Sequence, residues 1–170
     1  MRLHYMKLKA TASHGWAYYP GSDIGPRMKD FILNIPGDAR WAQNGITVAG
    51  GHGYGSVNYQ LYYPLGLWVD DDQTVVLIGQ LNHRIVQWYK GDNYGHAVAG
   101  GKDSGNELNQ LKDQTDILID QETDSLIVCD QGNRRILQWS LRRGTEQGEI
   151  LISNIACYGL AMDNHRYLCL

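Results

Sequence analysis

Several features that would point directly to a function are scarce or missing in this sequence. Its 15 basic and 18 acidic residues nearly balance, giving a formal charge of -3, so no overall field attracts nucleic acid or an anionic membrane. The three cysteines, Cys129, Cys157 and Cys169, form no C-x-x-C pair, which argues against a zinc framework and a dense disulfide scaffold, and at least one thiol stays unpaired within the chain. No apolar run approaches membrane-spanning length, and charges interrupt the N-terminal residues too often for the core of a signal peptide. The sequence therefore assigns the chain to no compartment.

Phenylalanine is also nearly absent, with one residue, whereas there are 11 tyrosines and 20 glycines. This composition favours short strands and tight turns over helices. The length of 170 residues suits a single domain with its own core. What the sequence does contain is an internal repeat.

The repeat is clearest in a glycine-rich stretch. VAGGHGYG at residues 48–55 returns as VAGGKDSG at 98–105, which is 50 residues further on. With one extra residue in the second copy, NHRIVQW at 82–88 aligns with NRRILQW at 133–139. A third copy begins with YGLAMD at 158–163, so the chain holds two full units and the start of another.

The glycine-rich stretch has the composition of a phosphate-binding loop. Such a loop needs a helix after it, but the residues that follow Gly55 have no helical period and end at Pro64. Because the stretch also occurs twice, the glycines are interpreted as a turn between successive units.

Each unit contains four short apolar or β-branched segments separated by Asp, Asn and Gly clusters. They predict strands at 65–69, 75–78, 84–88 and 96–99 in the first full unit, and at 116–119, 125–129, 135–139 and 149–152 in the second. Four antiparallel strands per unit at this period predict an all-β fold of the β-propeller type. The predicted divisions are an irregular leader at 1–37, the end of one blade at 38–57, blades at 58–107 and 108–154, and the start of a further blade at 155–170.

PLGLWVDDDQTVVLIGQLNHRIVQW, residues 64–88, resembles the NHL repeat, and wording such as AGGHGYG and NYQLYYPLGL is most similar to rotifer NHL-repeat proteins. The resemblance implies a six-bladed propeller used as a binding platform, of which this chain would be a fragment of about two and a half four-stranded blades. It also implies a structural role for the residues at the repeat-signature positions. These are Gly66, Asp70, Asn82, Arg84, Trp88, Asp120, Asp130, Asn133, Arg135, Trp139, Gly159 and Asp163.

The chain departs from the family pattern at two places. Asp130 ends the second strand of the second unit and is predicted to pair with Arg135, whereas Gly79 stands at that position in the first unit and leaves Arg84 without a carboxylate. The second unit also replaces the opening Pro-x-Gly with the segment 114–116, Gln-Thr-Asp. Because so few blades cannot close a ring, association through open blade edges is expected.

Two sets of side chains are candidates for metal ligation. Asp70, with the two aspartates after it, is similar to part of a calcium loop, but a hairpin turn is favoured because Asx side chains suit turns. His52, His83 and His96 are possible zinc ligands, yet the second unit has Lys102, Arg134 and Glu146 or Gln147 at these places. No metal is therefore predicted.

The remaining repeat positions have structural interpretations. Asn82 and Asn133 are expected to lie in a β-turn, because asparagine tolerates left-handed backbone. Trp88 and Trp139 are expected to pack between blades, with an exposed aromatic hot spot as the alternative.

These observations favour a non-catalytic propeller module that acts as a protein-binding scaffold. No catalytic, cofactor-binding or metal-binding residue is assigned, and G-x-S-x-G is absent. Two alternatives remain open: a metal-dependent propeller enzyme of the lyase or lactonase type, and an RNA-binding NHL propeller. RNA binding would use the only basic cluster of the sequence, which consists of Arg134, Arg135, Arg142 and Arg143.

Overall fold

The computed structural model describes residues 47–70, 72–163 and 165–170. The leader predicted at 1–37 and the first part of the segment 38–57 lie outside this part of the chain. The described residues form an all-β structure of two four-stranded antiparallel sheets and one two-stranded sheet, as the alternation of apolar segments and turn clusters predicts.

The two large sheets have the same strand order. The first contains β1 (Pro64–Val69), β2 (Val75–Gly79), β3 (Arg84–Trp88) and β4 (His96–Gly100), and the second contains β5 (Gln114–Asp120), β6 (Ser125–Asp130), β7 (Arg135–Ser140) and β8 (Glu149–Ser153). A third hairpin pairs β9 (Ala161–Met162) with β10 (Leu168–Cys169). All eight predicted strands are confirmed, and most are one residue longer than predicted because backbone pairing continues into residues without an apolar side chain, such as Gly79 and Asp130.

Aspartates close the first hairpin of each sheet, as predicted. Asp70 Oδ1 accepts a hydrogen bond from the backbone N–H of Thr74 at 2.7 Å, and Asp163 Oδ1 accepts one from Tyr167 at 2.8 Å. The carboxylate of Asp120 likewise accepts the N–H of Glu122 at 3.2 Å. These bonds satisfy turn donors that have no strand partner.

A short 3-10 turn joins the second and third strands of each large sheet, at Gln80–Asn82 and Gln131–Asn133. Asn82 and Asn133 lie in these turns, as predicted, but the left-handed conformation falls on the next residue, His83 with φ of 51° and Arg134 with φ of 54°. From the turn, Asn82 Nδ2 donates to Gly55 O at 2.8 Å and Asn133 Nδ2 donates to Gly105 O at 2.7 Å.

The main core lies between the two large sheets. Val76, Ile78 and Ile85 of the first sheet pack with Leu126, Val128, Leu137 and Trp139 of the second. Trp88 lies in a second cluster, with Val75, Leu77 and Val86, on the other face of the first sheet. Both tryptophans are only 2% exposed, so the alternative of exposed hot spots is wrong. Trp139 packs between the two large sheets, as predicted, whereas the cluster of Trp88 is covered by Val48, Ala49 and Leu61.

The third hairpin is covalently tied to the second sheet. Cys129 in β6 and Cys157, which precedes β9, form a disulfide with a Cα–Cα distance of 5.7 Å, and both are buried. Cys169 is free and exposed. The pairing was not visible in the sequence, because 28 residues separate the two cysteines and only the fold brings them together. Among the described residues, no helix has the length and apolarity needed to cross a membrane.

Candidate functional site

A buried arginine fixes the loop that joins the two large sheets. Arg135, at the start of β7, donates to the backbone carbonyls of Asn106, Glu107 and Gln110 at distances of 2.7 to 2.9 Å. Its Nε donates to Asp130 at 2.7 Å, which is the ion pair that the sequence predicts. The guanidinium thus fixes the second connector, residues 101–113, to the sheet that follows it. We name the edge of the sheets where the connectors and the 3-10 turns lie the connector end.

Arg84 repeats this arrangement in the first sheet but lacks the carboxylate. It donates to the carbonyls of Ser56, Val57 and Gln60 in the first connector, residues 50–63, at 2.7, 2.8 and 3.3 Å. Its Nε is buried and has no hydrogen-bond partner among the described residues. Burial lowers the pKa of this guanidinium below its usual value.

The side chain of Asn82 takes over part of the role of the missing carboxylate. In the second sheet, Asp130 Oδ1 accepts the backbone N–H of Lys112 at 2.7 Å. In the first sheet, Asn82 Oδ1 accepts the corresponding N–H, that of Tyr62, at 2.8 Å. A Cβ atom on Gly79 would lie 2.9 Å from this oxygen, so the amide occupies the space next to the glycine.

The unusual segment 114–116 connects the second sheet to the third hairpin. Thr115 Oγ1 donates to Cys157 O at 3.1 Å, and Asp116 Oδ2 accepts the N–H of Leu160 at 2.8 Å. A Cβ on Gly66 would lie 2.7 Å from Asp116 Oδ1, so this glycine allows β1 and β5 to approach closely. Gly159 lies beside the same carboxylate. The replacement of Pro-x-Gly is therefore explained by contacts with the following hairpin.

The structure does not bring the histidines and arginines singled out in the sequence into one site. His83 lies at the connector end of β3, whereas His96 lies at the opposite end and is 3.4 Å from Asp92. Within the ranges that the structure describes, no group of three or more His, Cys, Asp or Glu side chains is placed to hold a metal ion. The turn interpretation of Asp70 is confirmed, while its neighbour Asp71 lies outside the described residues.

The four arginines of the basic cluster also separate in space. Arg134 and Arg135 lie at the start of β7, and Arg135 is only 6% exposed. Arg142 and Arg143 follow the other end of that strand. The cluster seen in the sequence is therefore not a continuous basic surface.

The most distinctive surface of the connector end is an aromatic patch, defined as Tyr54, Tyr62, Tyr63 and Leu81. These side chains are 72%, 42%, 46% and 41% exposed. The rings of Tyr54 and Tyr62 have centroids 5.4 Å apart, and the N–H of Leu81 donates to Tyr62 O at 3.2 Å. The patch thus combines exposed side chains of a connector and of the 3-10 turn that is hydrogen-bonded to it.

The second sheet carries no such patch. At the positions aligned with the patch it has Ser104, Lys112, Asp113 and Gly132. This difference was not predicted, although it is visible in the sequence when the two units are aligned position by position. The backbone is shared by both sheets, so the aromatic residues are a feature of the side chains and not a requirement of the fold.

Tyr63 adopts a backbone conformation that is costly for its residue type. Its φ is 53°, and the aligned Asp113 has φ of 49°. Aspartate tolerates the left-handed region because its short side chain bonds locally, but a bulky tyrosine does so rarely. The first sheet therefore places an exposed tyrosine where the backbone favours a small polar residue.

A second group of aromatic residues lies at the other end of β3. Tyr89 and Tyr94 are 50% and 53% exposed, and the ring centroid of His96 lies 5.7 and 5.1 Å from theirs. The aligned residues of the second sheet are Ser140, Gln147 and Glu149. His96 pairs with Gln87, and Glu149 pairs with the equivalent Gln138, so the sequence-based alignment of His96 with Glu146 or Gln147 was wrong. This group provides a matched comparison for the aromatic patch.

Comparison with protein-family models and with curated proteins finds no match to this chain.

Proposed function

We propose that the chain forms blades of an NHL-type β-propeller and that it binds another protein through the aromatic patch. The propeller assignment is supported by the repeat, by the identical strand order of the two large sheets and by their face-to-face packing. Arg84 and Arg135 make the same contacts with the carbonyls of the connector that precedes their sheet. This shared arrangement supports the assignment further, because each blade then fixes the loop that enters it.

One observation carries the binding function. The first sheet exposes three tyrosines and a leucine where the second sheet has serine, lysine, aspartate and glycine on the same backbone. Tyrosine offers a large rigid apolar area together with a polar hydroxyl and loses little conformational entropy on binding. Such residues are enriched among those that dominate the energy of protein interfaces.

The strain at Tyr63 supports the same function. A left-handed tyrosine costs of the order of 1 kcal/mol relative to a residue that suits this backbone. Residues in sparsely populated backbone regions are concentrated at binding sites, where the surrounding structure maintains them. No observation among the described residues specifically favours the metal-enzyme or the RNA-binding alternative.

The test exchanges the aromatic patch for the residues of the second sheet. The patch-exchange variant combines Tyr54→Ser, Tyr62→Lys, Tyr63→Asp and Leu81→Gly. The control variant combines Tyr89→Ser and Tyr94→Gln, which makes the same kind of exchange at the other end of β3. Every introduced residue is one that the second sheet carries at the aligned position.

A photo-reactive phenylalanine analogue placed at position 54 would identify the partner by cross-linking in an extract of the source cells, with position 94 as the control site. Calorimetry with the purified partner then gives its Kd for each variant. We expect a partner that cross-links at position 54 and binds the patch-exchange variant at least about tenfold more weakly, while the control variant binds as the wild type does. Equal affinity for all three proteins would contradict the proposal.

A further inference from the structure

Arg84 is a buried cation without a counter-ion. Its side chain lies in a residue that is 8% exposed, and among the described residues no carboxylate forms a salt bridge with it. Its Nη1 and Nη2 groups donate to neutral connector carbonyls, but the buried Nε has no acceptor in this part of the chain. Burying a charged donor without a partner is unfavourable, so an anionic acceptor that reaches this atom would stabilise the first sheet.

The second sheet shows which donors an anionic oxygen contacts at this place. Asp130 Oδ2 accepts from Arg135 Nε at 2.7 Å and from Asn133 Nδ2 at 2.9 Å. Both donors have counterparts in the first sheet, which are Arg84 Nε and Asn82 Nδ2. The first sheet therefore repeats the donors of a carboxylate site without repeating the carboxylate.

The amide nitrogens of the two asparagines are held in the same way. Asn82 Nδ2 donates to Gly55 O, and Asn133 Nδ2 donates to the aligned Gly105 O. An amide nitrogen carries two N–H groups, so Asn82 keeps one for a further acceptor, as Asn133 does for its carboxylate. Asn82 Oδ1 already accepts the backbone N–H of Tyr62. One anionic atom is then sufficient to complete the set.

Size and access restrict the ligand to a small ion. Gly79 has no side chain where Asp130 contributes a methylene and a carboxylate, but a Cβ on this glycine would lie 2.9 Å from Asn82 Oδ1, so a bulky anion does not fit. Val57, whose carbonyl accepts from Arg84, is 42% exposed. The guanidinium thus lies just below the connector, and a small ion reaches it from solvent without unfolding of the sheet.

We propose that the first sheet binds a small monovalent anion, a halide or a carboxylate of the size of formate, between Arg84 Nε and Asn82 Nδ2. The bound ion supplies the negative charge that Asp130 supplies covalently in the second sheet. It also helps to fix the first connector, which carries three of the four residues of the aromatic patch. The site does not depend on whether that patch binds a protein.

NMR of the arginine Nε–H groups tests the site directly in the folded 170-residue chain. Sodium chloride and sodium formate are titrated separately against sodium gluconate, whose anion is too large for the site, at constant ionic strength. We expect the Arg84 signal to shift and saturate with at least one of the two small anions, and the tighter Kd identifies halide or carboxylate. The Arg135 signal should stay fixed because Asp130 already bonds its Nε. An Arg84 signal that moves no more than that of Arg135 overturns the proposal.

Unfolding in the same salts tests the site through its effect on stability, with Gly79→Asp as the variant that blocks it. Above the Kd, each tenfold rise in the bound anion should raise the folding equilibrium constant of the wild type about tenfold. Gly79→Asp supplies its own carboxylate to Arg84 and should lose this dependence. Ser104→Asp, which adds the same charge at an exposed position of the second connector, is the matched control and should keep it. Equal anion dependence in the wild type and Gly79→Asp would contradict the site.

Discussion

Arg135 and Asp130 form a buried ion pair at 2.7 Å in the second sheet, whereas the aligned Arg84 of the first sheet faces Gly79. The two arginines nevertheless donate to equivalent connector carbonyls. The same backbone is therefore maintained with and without a carboxylate. In the first sheet, the Nε of Arg84 has no hydrogen-bond partner among the described residues, and the side chain of Asn82 accepts the connector N–H that the carboxylate accepts in the second sheet.

Removing the carboxylate of the second sheet should be strongly destabilising. Asp130→Ala leaves Arg135 buried without its counter-ion, and breaking such a pair costs about 3 to 5 kcal/mol. Urea unfolding measures the change in the free energy of unfolding. The double variant with Arg135→Met should lose less than the sum of the two single variants, and strict additivity would show that the pair is not coupled.

Supplying the missing carboxylate in the first sheet should be stabilising relative to an uncharged side chain at the same position. Any Cβ on Gly79 has to displace Asn82 Oδ1, which would lie 2.9 Å from it, but Gly79→Asp also gives the Nε of Arg84 an acceptor like the one that Arg135 has. We expect its free energy of unfolding to exceed that of Gly79→Ala by about 1 kcal/mol or more. Gly79→Ala is the control, because it introduces the same Cβ and the same loss of backbone entropy without the charge. If the aspartate variant is no more stable than the alanine variant, the ion pair has not formed.

Tyr63 should show opposite effects on stability and on binding. Tyr63→Asp relieves the left-handed tyrosine and is expected to raise the free energy of unfolding by about 1 kcal/mol while weakening the binding of the partner. The reciprocal change, Asp113→Tyr, should lower stability by a similar amount. Thermal unfolding and the Kd are measured on the same samples, and a loss of stability in Tyr63→Asp would contradict the strain argument.

The carboxylate of Asp120 should make the fold sensitive to acid. Burial raises the pKa of this group, but hydrogen bonds from Thr123 and Arg166, together with the charge of Arg166, outweigh that effect and hold the pKa below its ordinary value of 3.8. A lowered folded-state pKa stabilises the protein fully above about pH 4, and this contribution is lost as the pH falls through the folded-state value.

The test of the acid effect compares unfolding of the wild type and Asp120→Asn from about pH 7 to about pH 2. The stability difference should be constant at neutral pH and should shrink in acid. Glu122→Gln is the control, because Glu122 contacts the same Arg166 at 3.3 Å but is largely exposed, so its ion pair should contribute little to stability. A difference that is independent of pH would contradict the role assigned to the charge of Asp120.

The disulfide should contribute a large share of the stability of the third hairpin. Closing a loop with a sequence separation of 28 between Cys129 and Cys157 is expected to contribute about 3 to 4 kcal/mol by restricting the unfolded chain. The Cys129→Ser and Cys157→Ser double variant measures this difference. Alkylation followed by mass spectrometry should label Cys169 alone before reduction and all three cysteines afterwards.

The sequence by itself determined the strands, their order and the pairing of Asp130 with Arg135. Strand alternation is a local property with a period of two residues, and the two units repeat it at aligned positions, so each unit supports the interpretation of the other. The arginine and its carboxylate are five residues apart across one hairpin, which is also a local relationship. The left-handed residues of the 3-10 turns lie one position after the asparagines that the sequence favoured.

Tertiary structure alone decided the contacts between distant segments. In the sequence, Thr115 and Asp116 are departures from the repeat pattern. In the structure they form hydrogen bonds to Cys157 and Leu160, which lie 42 and 44 residues further along the chain. The aromatic patch likewise joins a connector to a turn that is far away in sequence. Such contacts depend on how sheets pack and how loops are held, and neither is encoded in the local periodicity from which strands are predicted.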